Sequence, residues 1–219
     1  MQGFDPKNDD DPSHALFMGL GTGTADPRSA LSGVKMHFPM RCLEAPDELF
    51  EFIQRAADSL GALHGTCGLA ALSTPGTDIS TDAYWLPWLL SYPALDYDDM
   101  GGFRVEADNA ASLSPRTTNW LTILGTCHAE AIDTGRFAAD GVETAEYSDG
   151  RIFRASQGPV LGNAATGGIP EGYRTVAREV APIRFEGYRF GIIKAPKSMD
   201  LSQDERRKLT LDWLRRFDG

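Results

Sequence analysis

The sequence predicts an α+β fold in a single compact domain, with a mixed or mainly antiparallel sheet and helices packed on it. The chain has 219 residues, 42% of them hydrophobic and 24% charged, which is the composition of one ordinary globular domain. Helical and alternating strand patterns both occur, without the regular strand–helix alternation of a parallel α/β fold.

The N-terminus differs in composition from the rest of the chain. Three aspartates stand between Pro6 and Pro12, and few residues there can be buried. We therefore expect residues 1–14 to form a flexible acidic arm and residues 15–219 to form the domain. Within the domain, Val34 to Met40 begins with the alternation of a half-buried strand.

A helix is predicted from Pro46 to Leu60. Acidic side chains occupy its first turn, where the helix dipole favours them, and Gly61 follows as a stop signal. Its apolar residues recur at helical spacing, at Leu49, Phe52, Ile53, Ala56 and Leu60. Small residues and glycines from 63 to 72 then predict a buried strand.

The middle of the chain is expected to hold a short helix within residues 80–93, with Pro87 in its first turn or kinking it. A strand is expected over residues 103–107. The apolar cluster from Trp120 to Leu124 should anchor in the core.

The remaining elements follow from the same patterns. They are polar connections at 133–150, a strand at 151–156, a Gly/Pro loop at 157–170, a helix at 173–180 and a strand at 183–193. Ser202 and Glu205 match a capping box, which predicts an amphipathic C-terminal helix at about 202–217 within the same domain.

Charge restricts the classes of partner. The formal net charge is −10; residues 1–170 carry −13 and residues 171–219 carry +3. A chain with this much negative charge repels polyanions. The charge therefore argues against nucleic acid or an anionic membrane as partner and favours a basic protein. No apolar stretch is long enough to span a membrane and the first residues do not resemble a secretory signal, so we expect a cytoplasmic protein.

No catalytic, cofactor or metal motif stands out. Gly19, Gly21 and Gly23 lack the offsets and following helix of a nucleotide-binding loop. Cys67 and Cys127 each have a nearby histidine, but without metal-ligand spacing or a nucleophile motif. The sequence therefore predicts no cofactor, no metal and no enzymatic activity, with a Cys/His hydrolase left as the alternative.

Acidic residues in the middle of the chain are the candidates for partner binding. Asp96, Asp98 and Asp99 lie in a sequence expected to form a loop, followed by Glu106 and Asp108. They could form a solvated loop or a negative patch that docks a cationic cleft. Three aromatic residues could anchor a partner at the interface or could instead belong to the core: Trp85, Trp88 and Tyr97.

Short motifs stand out at residues 50–60, 64–65, 68–70, 93–96, 119–124, 158–163, 170–176 and 182–184. Together they cover about residues 31–195. They resemble the motifs of the type VI immunity protein family, whose members protect a producing cell from effectors of the type VI secretion system.

The resemblance implies direct, stoichiometric binding of a cognate toxin, for several members a nuclease with a basic DNA groove. The acidic chain would cover that groove or the active site. One position departs from the family pattern, because Asn163 stands where an Asp is expected. A charge role there would be lost, whereas a turn role would survive. An adaptor or chaperone for a basic client is a further alternative.

Overall fold

The computed structural model describes residues 16–20, 33–71, 84–97, 102–103, 105–107 and 114–218. The strands are β1 (Leu16–Leu20), β2 (Gly33–His37), β3 (His64–Cys67), β4 (Ala70–Ala71), β5 (Asp96–Tyr97), β6 (Leu121–Gly125), β7 (Glu143–Tyr147) and β8 (Gly150–Arg154). The α-helices are α1 (Pro46–Leu60), α2 (Leu86–Ser91), α3 (Thr126–Ala129), α4 (Glu171–Val180) and α5 (Gln203–Leu214).

A four-stranded antiparallel sheet in the order β3-β6-β8-β7 organises these elements. Leu121 pairs with Cys67 on one side and Arg154 on the other, and every residue of β6 is buried. Two small pairs accompany the sheet: an antiparallel β1–β2 ribbon and a parallel β4–β5 contact. The predicted α+β class is confirmed.

Helix α1 has the predicted bounds. Pro46 lies in its first turn and Gly61 closes it with a left-handed φ of 54°, donating its N–H to the carbonyls of Ala57 and Asp58. The buried face differs from the prediction, because Phe50 and Ala57 face inward with Leu49 and Ile53. The predicted inward residues Phe52 and Leu60 are exposed, although the Phe52 ring meets Phe38 edge-on at 5.5 Å.

The C-terminal helix confirms the capping-box prediction. The Ser202 hydroxyl accepts from the Glu205 amide at 3.3 Å, and the Glu205 carboxylate accepts from the Ser202 amide at 2.8 Å. The helix ends at Leu214, and Phe217 is buried beyond it.

The buried Arg184 binds Asp218 at 2.6 Å and Glu186 at 2.7 Å. Hydrogen bonds from the Arg215 and Arg184 guanidinium groups lower the pKa of Glu186 to about 2.

Three apolar clusters of the described residues hold the layers together, and the third includes Leu124, Phe153 and Val176. The first joins α1 to the sheet and to α4, with Trp120 and Tyr173 at its centre. The second lies between α2, α5 and the segment after α4, where Tyr97, Phe185 and Trp213 are buried. The predicted anchoring of Trp120 in the core is confirmed.

Three local predictions need correction. Residues 102–103 and 105–107 are helical, not a strand, and Phe103 and Ala107 are buried four positions apart on one helical face. The expected polar connection at 133–150 contains β7, whose exposed polar residues suit a sheet edge. The predicted strand at 63–72 is divided into β3 and β4.

A fourth prediction also needs correction, because residues 183–193 are not a strand. Ile183 ends a short 3₁₀ turn, and the residues after it have irregular backbone. Their amides bind side chains. Arg189 N–H and Phe190 N–H donate to Glu106, and Ile192 N–H and Ile193 N–H donate to the Thr210 hydroxyl. These side chains replace the strand partner that the alternating sequence pattern predicted.

None of the helices described here has the length and the apolar composition that crossing a lipid bilayer requires.

Candidate partner-binding surface

Two of the five predicted partner-binding carboxylates lie in the protein interior. Asp96 is 6% exposed and Glu106 is 5% exposed. Asp98, Asp99 and Asp108 lie outside the described residues. Binding of a partner by this acidic segment therefore stays a prediction, while the contacts of Asp96 and Glu106 are defined.

Asp96, in β5, binds Thr66 of β3 and Arg116. Its Oδ1 accepts from Arg116 Nη2 at 2.8 Å and from the Tyr97 amide at 2.7 Å. Its Oδ2 accepts from the Thr66 hydroxyl at 3.3 Å. Arg116 also donates to the Tyr97 carbonyl at 2.8 Å. The carboxylate is paired with a cation and hydrogen-bonded, as a buried charge requires.

Glu106 has a similar internal role. It accepts from the amides of Arg189 and Phe190 at 3.1 and 3.3 Å, and its Oε2 lies 3.5 Å from Arg189 Nε. These bonds hold the irregular segment after α4. The side chain satisfies backbone donors that would otherwise lack a partner.

Among the described residues, the environments of the cysteines and histidines do not favour a nucleophile or a metal site. Burial, with a smaller effect of nearby Asp96, raises the pKa of the Cys67 thiol to about 12, which disfavours a nucleophilic thiolate. Burial lowers the pKa of His64 to about 4. Cys127 is exposed, with Sγ 3.6 Å from Nδ1 of the adjacent His128. In the part of the chain that the structure describes, no three His, Cys, Asp or Glu residues are placed to hold a metal ion.

Of the three candidate aromatic anchors, one presents its ring at the surface. Tyr97 is buried in the core, and Trp85 is partly buried with its ring 5.8 Å from that of Tyr97. Trp88 is 58% exposed and stacks on Tyr92, with ring centroids 5.9 Å apart and an interplanar angle of 22°.

A different acidic feature lies where α1 begins, where β7 begins and where β8 ends. It is a depression of about 430 Å³, here called the acidic depression. It is lined by Asp47, Phe50, Glu51, Glu143, Arg154 and Gln157. Three of these residues carry carboxylates, and one carries a buried guanidinium.

Arg154 organises the acidic depression. Its side chain is 4% exposed; Nη2 lies 2.6 Å from Asp47 Oδ1, and Nη1 lies 3.2 Å from Glu143 Oε2. The guanidinium packs over the rings of Phe50 and Trp120, at 5.1 and 5.8 Å from their centroids. The two carboxylates remain 66% and 57% exposed. A buried cation thus orients two acidic groups that still face solvent.

The acidic depression was not predicted from the sequence, because the acidic residues in the first turn of α1 were attributed to the helix dipole alone. One signal was present. Arg154 follows Ile152 by two positions on a predicted strand, so both side chains point to the same, buried face. A cation on that face requires a carboxylate partner.

The Gly/Pro loop at residues 157–170 contains Asn163, the position that departs from the family pattern, and this residue forms a turn. Asn163 Oδ1 accepts from the Ala165 amide at 2.9 Å, and its carbonyl accepts from the Gly167 amide at 2.9 Å. Asn163 therefore has a turn role, one of the two roles considered for this position, and an Asp would make the same side-chain bond.

These features describe a protein-binding domain, and the comparisons with known proteins identify its class. Residues 4–217 match the model of a family of type VI immunity proteins. The family is TsiV, described as type VI immunity for VRR-NUC, and the chain belongs to it because the match spans nearly its whole length. The resemblance to a type VI immunity protein family is confirmed. The match also includes the C-terminal helix and most of the N-terminal arm, beyond the expected limits of 31 and 195.

A solved structure shares the fold. The T6SS protein PA0821 of Pseudomonas aeruginosa superposes with a TM-score of 0.67 at 18% sequence identity. The alignment covers 86% of this chain and 53% of that chain, so this chain spans about half the length of its structural relative. No curated protein matches the sequence.

Proposed function

We propose that this immunity protein neutralises its VRR-NUC nuclease effector by binding the folded nuclease and covering its active site or its cationic DNA groove. The observation that carries the proposal is the acidic depression. Asp47 and Glu143 are held by one buried guanidinium and face solvent beside the exposed Glu51. Such an array offers carboxylates where a nuclease groove would otherwise meet phosphates.

Pre-organisation supports this role. Arg154 fixes its two carboxylate partners before any complex forms, so binding does not have to immobilise both of them. Glu51 makes only a long, exposed contact with Arg55 at 3.6 Å and is available to a cation from a partner. Complementary charge of this kind accelerates association and restricts partner choice.

The acidic segment predicted from sequence is a second contact in this proposal. Asp98, Asp99 and Asp108 are proposed to supply negative charge for the effector, while Asp96 and Glu106 bind within the fold through their internal bonds. The effector's groove is then met by two negative regions of one chain.

The proposal also covers compartment and partner class. A DNA-cleaving effector acts where the chromosome lies, so the immunity protein is expected to meet it in the cytoplasm. The net charge of −10 opposes binding to nucleic acid or to an anionic membrane. Residues 1–14 are proposed to be an arm outside the folded domain.

Charge reversal in the acidic depression tests the mode of binding. Association of the purified effector is measured by stopped flow at several salt concentrations with wild type and with Glu51→Lys. We expect Glu51→Lys to associate at least about fivefold more slowly at low salt, with a smaller difference at high salt.

Glu130→Lys is the matched control, because it makes the same charge change. Glu130 is exposed after α3, near the end of the sheet where Gly125 pairs with Gly150, away from the Leu121–Arg154 end. Equal rates for both variants would contradict docking at the acidic depression. Absence of any complex with wild type would contradict inhibition by binding.

Inhibition without catalysis has its own test. Nuclease activity is titrated with wild type, Cys67→Ala and Cys127→Ala. We expect all three to inhibit to completion at one molecule per effector. Inhibition by far less than one equivalent, abolished by a cysteine substitution, would indicate an enzyme.

A further inference from the structure

Helix α2 is apolar on more than one face. Leu86 and Leu89 are buried, yet Trp88 is 58% exposed and Leu90 is 59% exposed. A surface helix ordinarily carries polar residues on its outer face. The apolar side chains around this helix are here called the α2 surface, which consists of the exposed Tyr84, Trp88, Leu90 and Leu161 and the half-buried Tyr92.

The α2 surface is rigidly held. Trp88 and Tyr92 stack on each other, and the Ser91 hydroxyl donates to the Pro87 carbonyl at 2.7 Å. The Gly/Pro loop docks on the end of the helix, because Ala164 N–H donates to the Ser91 carbonyl at 2.9 Å. A rigid aromatic side chain loses little conformational entropy on binding, which is typical of the residues that dominate interface energetics.

A cavity of about 350 Å³ adjoins Leu90. Its apolar wall is formed by Leu89, Leu90, Pro93, Ile169, Leu209 and Trp213. The volume suits one large apolar side chain. An exposed apolar side chain beside such a cavity, here Leu90, matches the paired anchors and pockets found at the centres of protein interfaces.

A short stretch of chain joins the acidic depression to the α2 surface. Gln157 lines the depression and donates to Asp47 Oδ1 at 3.0 Å, and the Leu161 carbonyl accepts from Ala94 N–H at 2.9 Å beyond α2. Four residue steps separate Gln157 from Leu161, so their Cα atoms are at most about 14 Å apart. A partner that covers Leu161 is therefore near the carboxylates of the acidic depression.

We infer that the α2 surface is the apolar anchor of the effector complex. In this arrangement an apolar side chain of the folded nuclease, next to its cationic groove, enters the cavity beside Leu90. The groove's cations then meet the carboxylates of the acidic depression. The inference rests on the proposed function and adds to it the part of the chain that supplies most of the affinity.

The exposed area favours this occupant over a second copy of the chain. Tyr84, Trp88 and Leu90 together expose about 400 Å² at the fractions observed. A stable interface requires about 800 Å² per partner. The α2 surface alone falls short of that area, whereas an effector that also covers the acidic depression can reach it.

Affinity measurements with the purified, catalytically inactive effector test the inference. Isothermal titration is carried out with wild type, Trp88→Ala and Leu90→Ser. We expect Trp88→Ala to weaken binding at least about 30-fold and Leu90→Ser at least about fivefold, mainly through faster dissociation. The melting temperature of both variants should stay within about 2 °C of wild type, because the replaced side chains are exposed.

Phe190→Ala is the matched control, since Phe190 is a 55% exposed aromatic residue that lies outside the α2 surface. It should bind within about twofold of wild type. Wild-type binding with Trp88→Ala and Leu90→Ser both within twofold would overturn the inference and leave the proposed function intact. A wild-type chain that does not bind the effector would overturn the proposed function. A wild-type homodimer, detected by light scattering and converted to a monomer by Trp88→Ala, would show that a second copy is the occupant and overturn the inference.

Discussion

Arg154 Nη2 donates to Asp47 Oδ1 at 2.6 Å and joins the end of β8 to the first turn of α1 across 107 positions of the chain. The same guanidinium donates to the carbonyls of Ser156 and Gln157, where the Gly/Pro loop begins. One buried cation therefore positions a helix, a strand end and a loop.

Replacing Arg154 should destabilise the protein well beyond the value of a surface ion pair. Arg154→Ala removes bonds to two backbone carbonyls and the packing on Phe50 and Trp120, so we expect a loss of about 2–3 kcal/mol in the free energy of unfolding. Arg151→Ala is the control, since Arg151 lies on the same strand but pairs with Glu146 at 3.6 Å at the surface. It should cost less than about 0.5 kcal/mol in urea unfolding. Equal costs would show that the Arg154 contacts contribute little.

Charge reversal at Asp98 and Asp99 tests the acidic segment predicted from sequence. The Asp98→Lys/Asp99→Lys variant should associate more slowly with the effector and show a flatter dependence on ionic strength, because steering by opposite charge is lost. The measurement is the association rate from about 20 to 500 mM salt. The double variant Glu130→Lys/Asp133→Lys makes the same change in net charge at two other exposed positions. Identical rates for the two variants would assign this acidity to solubility alone.

The free energy of unfolding should decrease as the pH is lowered, because His64 becomes protonated more readily in the unfolded chain. Burial, and then the charge of His128, lowers its folded-state pKa from 6.5 to about 4, so between these values the unfolded chain binds the extra proton. The contribution of neutral His64 is complete above about pH 6.5 and is lost towards pH 4, at most about 3 kcal/mol. Urea unfolding of wild type and His64→Gln at several pH values isolates it. A difference between the two that stays constant from pH 7 to 4 would contradict the assignment.

Gly172 should not tolerate a side chain. A Cβ at this position in α4 would lie 2.2 Å from the Ala155 carbonyl oxygen, although Gly→Ala ordinarily stabilises a helix by about 1 kcal/mol. We expect Gly172→Ala to destabilise by about 1–3 kcal/mol in thermal or urea unfolding. Gly168→Ala, where the nearest atom is 3.6 Å from the added Cβ, should be nearly neutral. A stabilised Gly172→Ala variant would show that α4 can shift away from the sheet.

Local signals predicted the elements whose ends are encoded in neighbouring residues. Pro46 and Gly61 bound α1, and Ser202 with Glu205 begins α5. The bonds of residues 183–193 could not be predicted, because their amides bind Glu106 and Thr210, which are distant in sequence. Local patterns carry no information about such partners.

The candidate surface shows the same limit. Asp96 and Glu106 were expected to point outward because acidic residues usually do, but Arg116 and the amide of Arg189 reach them from 20 and 83 positions away. The sequence does not reveal that Asp47 and Glu143 share one partner. That arrangement follows from the position of Arg154 at the end of β8.

The arrangement around Arg154 separates inhibitory specificity from foldability. The buried cation and its carbonyl partners belong to the fold, while Glu51 and Trp88 project from it without holding any layer in place. When an effector diverges, its immunity protein can follow by exchanging such outward side chains on an unchanged backbone. This fold is therefore a suitable scaffold on which new effector specificities can be selected with little loss of stability.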